Sequence, residues 1–492
     1  MSVKLIYGDV AVGAAEDAAV TTSSETAFSS PALVPFGGDT KAITTLEPNG
    51  WGLIKDYNVL GGQDIAFWSM DKSGADCSFA SAPFIQLDFD KQYTATGLSI
   101  HFAGESMDFA TEMIIEWYQG GALKERGTYY PAIPIFTPEN VVEAFDRIVL
   151  IFNKTNLPYR RIKVNKIVIG IIREFDDKDI KSMSYLSEVS LISETLPENV
   201  LDAAFHSDTE AEFIFQKKQP VHAYNGAELI GVYYIEQGRR TGATSYEINC
   251  EDMIGVLENE TQNGGIWFTD TALATILAEI FGDVDIFDID PAFEDATLRG
   301  FLDISTKRDA LQQIAFALGA VVDTSGSDKI RIFPPPIGTG AEIPAAKTYA
   351  DGSMEIDETV TEVTVTAYVF FDEPPGENQD YIDFNGQQYR YYTETMHARN
   401  PDAVSTDFEK VLKFDKSYLV NLSNAQTLAN NIMAYYQRQK TYNFSHVEEG
   451  QKPSDRAQMY LPWADAPVNG NIVKMAVTCS GIMASESVAI LD

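Results

Sequence analysis

Tyr246-Glu247-Ile248-Asn249-Cys250-Glu251-Asp252 closes a strand-turn-strand pair within residues 232–333, the stretch whose order of elements decides the fold. Ahead of it, Val232-Tyr233-Tyr234-Ile235-Glu236-Gln237 is rich in the β-branched and aromatic residues that suit a half-buried pleated surface, and 238–242 supplies turn chemistry. Together they predict a hairpin. Downstream, Ala272, Leu273, Ile276, Leu277 and Ile280 recur at helical spacing, with Gly282 placed for a left-handed C-terminal cap. Thr306 offers a hydroxyl cap to a second helix, Asp309 follows three residues on, and Ala310, Leu311, Ile314, Ala315, Ala317 and Leu318 make the apolar face before Gly319. Segments 320–324 and 329–333 flank Ser325-Gly326-Ser327-Asp328 as a second hairpin, which Pro334-Pro335-Pro336 ends. The unit reads as compact α+β.

On either side the pattern is sheet. From 46 to 170, short β-type runs (84–89, 97–102, 113–118, 147–152, 162–169) alternate apolar and polar residues between Gly, Asp and Pro, which predicts an antiparallel sandwich. Before them, 10–30 is rich in Ala, Thr, Ser and Glu, shows no clear periodicity except possible short strands, and reads as an arm or irregular lead-in. After the insert, 354–371 alternates strongly, Pro374-Pro375-Gly376 makes a turn, and 381–384 and 388–393 continue the sheet. Ser423 with Gln426 predicts a capping box for a helix over 424–439 carrying Ala425, Leu428, Ala429, Ile432, Met433 and Tyr436 on one face. A strand over 441–447 follows, and 468–491 reads as small terminal strands with Gly470 and Gly481 as turns.

The strand 246–250 running into Glu251-Asp252-Met253-Ile254-Gly255-Val256-Leu257, and Arg308-Asp309-Ala310-Leu311-Gln312-Gln313-Ile314-Ala315 followed by Gly319-Ala320-Val321-Val322, resemble the hub proteins of phage tails and related contractile injection machines. That family includes late control protein D and its Gram-positive prophage counterparts. The first block is similar to discoidin-type galactose-binding jelly rolls through Pro83-Phe84-Ile85-Gln86-Leu87-Asp88-Phe89, Gly97-Leu98, Ile151-Phe152-Asn153-Lys154-Thr155 and Pro158-Tyr159-Arg160-Arg161-Ile162. The expected fold is mainly β with an α+β insert: an arm (1–45), a jelly-roll sandwich (46–175), a first hub-type β-barrel domain (176–265), the insert (266–335), a second hub-type barrel (336–450) and C-terminal strands (451–492). The resemblance implies a homotrimeric virion protein, made in the bacterial host's cytoplasm, that contacts the tail tube on one side and baseplate, spike or fibre proteins on the other.

Charge bounds the partners. With 36 basic and 72 acidic residues the chain carries a net charge of −36, which disfavours nucleic-acid binding, since that affinity comes mainly from Lys and Arg neutralising phosphate. Two readings remain open: acidic residues that let DNA pass through a channel without sticking, or a solvated surface that keeps a structural protein dispersed. No run approaches the roughly 18 apolar residues of a membrane span, so no membrane insertion is expected, and the start Met1-Ser2-Val3-Lys4-Leu5-Ile6-Tyr7 lacks a signal core. Cys77, Cys250 and Cys479 are too far apart for a zinc motif or disulfide framework and read as buried thiols.

Little in the sequence points to catalysis. The five histidines show no metal-ligand spacing, no nucleophile elbow or phosphate loop appears, and Glu112 with Glu116 share a strand face without enclosing a substrate, so no catalytic residue and no cofactor are expected. Asp283, Asp285, Asp288 and Asp290, beside Glu294 and Asp295, offer the oxygens calcium prefers but lack the mid-loop Gly and final Glu of an EF-hand, so a solvated acidic loop is the competing reading. Trp51 and Trp68 are candidates to stack on a cell-wall glycan in an alternative adsorption role, whereas Trp117, mid-strand, reads as core.

Overall fold

The computed structural model describes residues 3–23, 67–102, 108–207, 215, 217–261, 265–282, 284–371, 381–384, 387–404, 408–464, 466–480 and 482–492. They form two compact units, Ile6–Glu174 with Ser207–Gln219, and Phe175–His206 with Pro220–Asp492 and the first five residues.

The first unit is an antiparallel sandwich. Its strand Phe84–Phe102 pairs through 84–88 with Glu139–Thr155 and through 98–102 with Lys163–Phe175, so one long strand serves both sheets. Ala110–Gln119 lies on the other side of Glu139–Thr155, and the register Met113↔Phe152, Ile115↔Leu150, Trp117↔Ile148 sets these side chains on one face. All six are buried, and they join Leu98, Ile100, Phe145 and Ile167 in the core. Within the described residues 3–23, the lead-in holds short strands. Val3–Val10 is a strand, Ala14–Asp17 is one helical turn (α1), and Ala19–Thr22 pairs with 85–88 as an added strand. Their signal in the composition is faint, because a short edge strand with one face wet needs little apolar content.

In the second unit, strands pair in the order Pro220–Asn225, Glu228–Arg240, Ser245–Glu251, Val200–His206, Ile180–Glu188, Val468–Ser480, Ile482–Leu491, Lys440–Val447, Ser353–Ile356, all antiparallel. Strands from 180–251 and from 440–491 thus share one ladder. The hairpin at 232–250 forms, but its first strand continues through Gly238 to Arg240 and the turn falls at 241–244, because the pairs Gly238↔Ile248 and Arg240↔Tyr246 still close. The terminal strands are long rather than small, and Gly470 sits inside one, opposite Leu491; Gly481 lies outside the described residues, as does the turn expected at 374–376.

Between these strands sits the insert. Asp252, at the end of Ser245–Glu251, caps α2 (Met253–Glu258) by accepting from Gly255 N at 3.0 Å. Then come α3 (Leu273–Phe281), ended by Gly282, and α4 (Lys307–Leu318), whose cap Thr306 accepts from Asp309 N at 3.1 Å. Gly319 ends α4 in the left-handed region (φ 64°) and the hairpin Val321–Asp323 with Ile330–Phe333 follows. A further sheet, Tyr381–Phe384, Gln387–Arg399, Glu362–Phe370 and Val411–Phe414, packs on α5 (Ala425–Tyr436). Leu311, Ile314, Phe316, Val363, Leu428 and Ile432 meet in one core. The capping box expected for α5 does not form: Asn424 holds the N-cap position, and Ser423 Oγ donates instead to Asn421 Oδ1 at 2.6 Å. Asn421 competes for the hydroxyl before the helix can use it.

A buried carboxylate network ties α2 to the hairpin. Asp252 is almost fully buried and accepts from Thr324 Oγ1 at 2.5 Å, while Asn199 Nδ2 donates to Thr324 Oγ1 at 2.9 Å. Neighbouring Asp323 pairs with Arg331 and accepts from Ser325 N at 2.9 Å. Burial pushes the Asp252 carboxyl up to about 6 from its ordinary 3.8, against the hydrogen bonds from Thr324 and the backbone. The folded chain therefore binds this proton more tightly than the unfolded chain. Its stabilisation is fully present below about 3.8 and is lost as pH rises through about 6. Asn caps helices as well as Asp does, so in Asp252→Asn that pH dependence should vanish. The stability difference, parent minus variant, is expected to grow between pH 7.5 and pH 4.5 by up to a few kcal/mol, because a tenfold difference in proton affinity is worth about 1.4 kcal/mol. Parallel urea-denaturation profiles for the two proteins across that range would refute it.

Candidate functional site

A cavity of about 430 Å³ opens where α4, α5 and the C-terminal strands meet. Local rules in the sequence build it. Gly319 turns the chain out of α4, Ser193 Oγ pins the new direction by donating to Ala320 O at 2.6 Å, and the hairpin ends at three prolines that cannot extend a ladder. Pro335, Pro336 and Ile337 therefore leave the sheet and form one rim, with Ile337 91% exposed. Leu191, Ile192, Leu428 and Ile432 supply the apolar walls, and Asn431 and Tyr435 extend the α5 side.

One end of the cavity is charged. Arg438 lies just beyond α5, Arg456 begins the strand Arg456–Met459, and both face Asp492. Arg456 Nη1 donates to Asp492 Oδ1 at 2.8 Å and to Asn471 Oδ1 at 3.1 Å, and its Nε donates to Gly338 O at 2.7 Å. Arg438 Nε stands 3.4 Å from Asp492 Oδ1. The hydrogen bond from Arg456 holds the Asp492 carboxyl below its ordinary value. Burial draws the Arg438 pKa down, opposed by Asp492, but a guanidinium stays charged. Arg438 and Arg456 thus share the Asp492 side chain. Such a site can take an apolar group.

The residues singled out from sequence fare differently. Trp51 and Asp283 lie outside the described residues. Trp68 is no surface platform: it is 7% exposed, its strand Phe67–Trp68 pairs with 163–164, and its neighbour Phe67 is in the core. The burial of Trp68 is a placement that two residues of local sequence do not reveal. Trp117 is buried as expected, edge-on to Phe145 at 4.8 Å. Asp288 is drawn into the strand Phe287–Ile289 opposite Arg331, and the Asp290 carboxylate accepts from Ala292 N at 2.9 Å. Asp285, Asp288 and Asp290 do not converge: among the described residues no group of three or more His, Cys, Asp or Glu could hold a metal ion. Glu112 pairs with Lys154 at 2.8 Å and Glu116 with Arg126 at 3.4 Å, so each carboxylate answers its own cation.

Arg438, Arg456 and Asp492 come from three elements, and no local spacing marks them. The one readable signal nearby is the sequence of stops, Gly319 and Pro334–Pro336, at which chain must leave the core.

No family model and no curated protein matches this sequence. Solved structures do. The chain is similar to phage and prophage tail proteins. Among them are a tail protein from Neisseria meningitidis MC58 (12% identity, 65% of this chain and 94% of that one, TM-score 0.45) and the 43 kDa tail protein of prophage MuSo2 from Shewanella oneidensis (7%, 77% and 98%, 0.43). A third is prophage tail protein gp18 from Listeria monocytogenes EGD-e (14%, 64% and 91%, 0.43).

Among the described residues no helix is long and apolar enough to cross a membrane.

Proposed function

We propose that this chain is a structural, non-enzymatic tail hub: a homotrimer that joins a tail tube to baseplate, spike or fibre proteins around a channel through which DNA passes without specific binding. The observation that carries this reading is the order of elements in one core. A strand runs into an Asp252-capped helix, a Thr306-capped helix feeds a hairpin, and both pack with α5 beneath flanking sheets. That is the order for which the sequence resembles hub proteins. The acidic surplus suits a channel wall, because carboxylates repel phosphate at short range and are screened beyond about 8 Å in physiological salt. An adsorption role through the sandwich needs a stacking face other than Trp68, which is buried.

Light scattering on the purified full-length protein tests the assembly. A closed trimer has three times the 54.4 kDa mass of the chain and holds that mass on dilution. A monomer over the whole concentration series would overturn the trimeric reading.

A further inference from the structure

Asn225 ends the strand Pro220–Asn225 at a tight turn, and Glu228 of the next strand stands opposite it. The connection that follows Lys440–Val447 meets this turn and brings a carboxyl and an amine to it. Glu448 is 4% exposed; its Oε1 accepts from Gly450 N at 2.6 Å, and its Oε2 accepts from Asn225 Nδ2 at 3.0 Å. Lys452 Nζ stands 3.7 Å from Oε1 of Glu228, the residue paired with Asn225. Asn225, Glu448 and Lys452 line one small cavity of about 20 Å³, against the roughly 10–15 Å³ that a single water molecule needs. Tyr185, Ile230 and Met475 are among its walls. Such a wall penalises charge, and burial raises the Glu448 carboxyl above its ordinary value, with Glu228 adding to the rise. An amine, a carboxamide and a buried carboxyl are the groups an amide exchange requires: a nucleophile, an acyl carbon and a carrier for the proton.

We propose that Lys452 and Asn225 join in an intramolecular isopeptide bond, with Glu448 carrying the proton. Lys452 first cedes one proton to the Glu448 carboxylate, which leaves a neutral amine and a neutral acid. The amine nitrogen then attacks Asn225 Cγ; the Nζ–Cγ bond forms and the Cγ–Nδ2 bond breaks. Glu448 gives its proton to Nδ2 and takes one back from Nζ, so ammonia leaves and the acid is restored. The exchange is redox-neutral and needs no further reactant. Asn225 already points its leaving nitrogen at Glu448, and the connection that carries Glu448 also carries Lys452. The bond ties this connection to the hairpin of Pro220–Asn225 and Glu228–Arg240, closing a long loop of chain, the case in which a cross-link restricts the unfolded state most. It lies within one unit and does not depend on the trimeric reading.

Intact-mass measurement on the purified full-length chain, fresh and after prolonged incubation at neutral pH, tests this. The parent protein should weigh less than its sequence by one ammonia, and a protease digest should contain one branched peptide that joins 225 to 452. Lys452→Arg keeps a cation beside Glu228 but has no amine to acylate, and the side chain is 30% exposed, so the fold survives the change. That variant and Glu448→Gln should both keep their full sequence masses. A parent protein at full mass after incubation overturns the proposal. So does an ammonia loss that persists in Lys452→Arg, because Gly226 N can attack the same Cγ to give a succinimide within the chain. A loss that persists in Glu448→Gln and vanishes in Lys452→Arg overturns the role of Glu448. If Glu448→Gln does not fold, the branched peptide and Lys452→Arg still decide whether the bond forms.

Discussion

Asp108→Ala is expected to cost the sandwich about 3–5 kcal/mol, the loss seen when one member of a buried ion cluster is removed. Asp108 is 1% exposed, and its Oδ2 accepts from Lys163 Nζ at 2.6 Å, while Arg160 Nε stands 3.5 Å from Oδ1. Both cations are buried as well. Truncation takes the Asp108 carboxylate from between two buried positive charges, and Lys163 begins the strand Lys163–Phe175. That strand carries Val164, Ile167 and Ile169 into the core, so the damage spreads to the sheet. Hydrogen exchange resolved by peptide should show the loss in 110–119 and 148–152, the strands of the same unit. Adding Lys163→Met to Asp108→Ala should restore part of it, because an apolar side chain removes one of the two cations. A change below about 1 kcal/mol in the single variant, the range of an exposed pair, would show that water reaches the cluster and defeat the argument.

The same contrast explains what could be read from the sequence. Both helices of the insert were legible because each is announced within a few residues: Thr306 with Asp309 at one start, and Gly282 and Gly319 at the two ends. The capping box at Ser423 misled because a residue two positions earlier, Asn421, takes the same hydroxyl. The runs 84–89 and 97–102 read as two strands because exposed 90–92 interrupt the alternation, although the backbone continues through a bulge between Asp88 and Tyr93. Alternation reports which face is buried and is silent when both faces are wet. The charged end of the cavity was not legible at all. Arg438, Arg456 and Asp492 meet only because Lys440–Val447, Val468–Ser480 and Ile482–Leu491 lie together in one ladder, a non-local pairing that no window of sequence contains. Trp68 failed for the same reason: burial is decided by the partner strand.

Gly300→Ala is the sharpest case of such hidden dependence, and it should cost about 2–6 kcal/mol, combining a strained backbone with overpacking. Gly300 lies in the strand Thr297–Leu302 opposite Phe268, with φ 142°, a conformation that side-chain-bearing residues rarely adopt. A Cβ there would come 2.2 Å from Tyr418 O and 3.0 Å from Leu419 Cα. Both are backbone atoms, so no side chain can rotate away. The segment they belong to is fixed: Asn421 Nδ2 donates to Arg299 O at 3.1 Å, Val420 O accepts from Tyr368 N at 2.8 Å, and Leu419 is fully buried. Either the strand or this crossing segment must move, and each carries core residues, Phe301 and Leu302 on one and Leu419 on the other. Gly282→Ala supplies the control. It too has positive φ, 82°, but nothing lies within 4 Å of the added Cβ, so it should lose only about 1 kcal/mol for the backbone conformation. Urea denaturation of the two variants compares them: their difference measures what Gly300 adds beyond an open site of positive φ, and equal losses would mean that the crossing segment yields without cost.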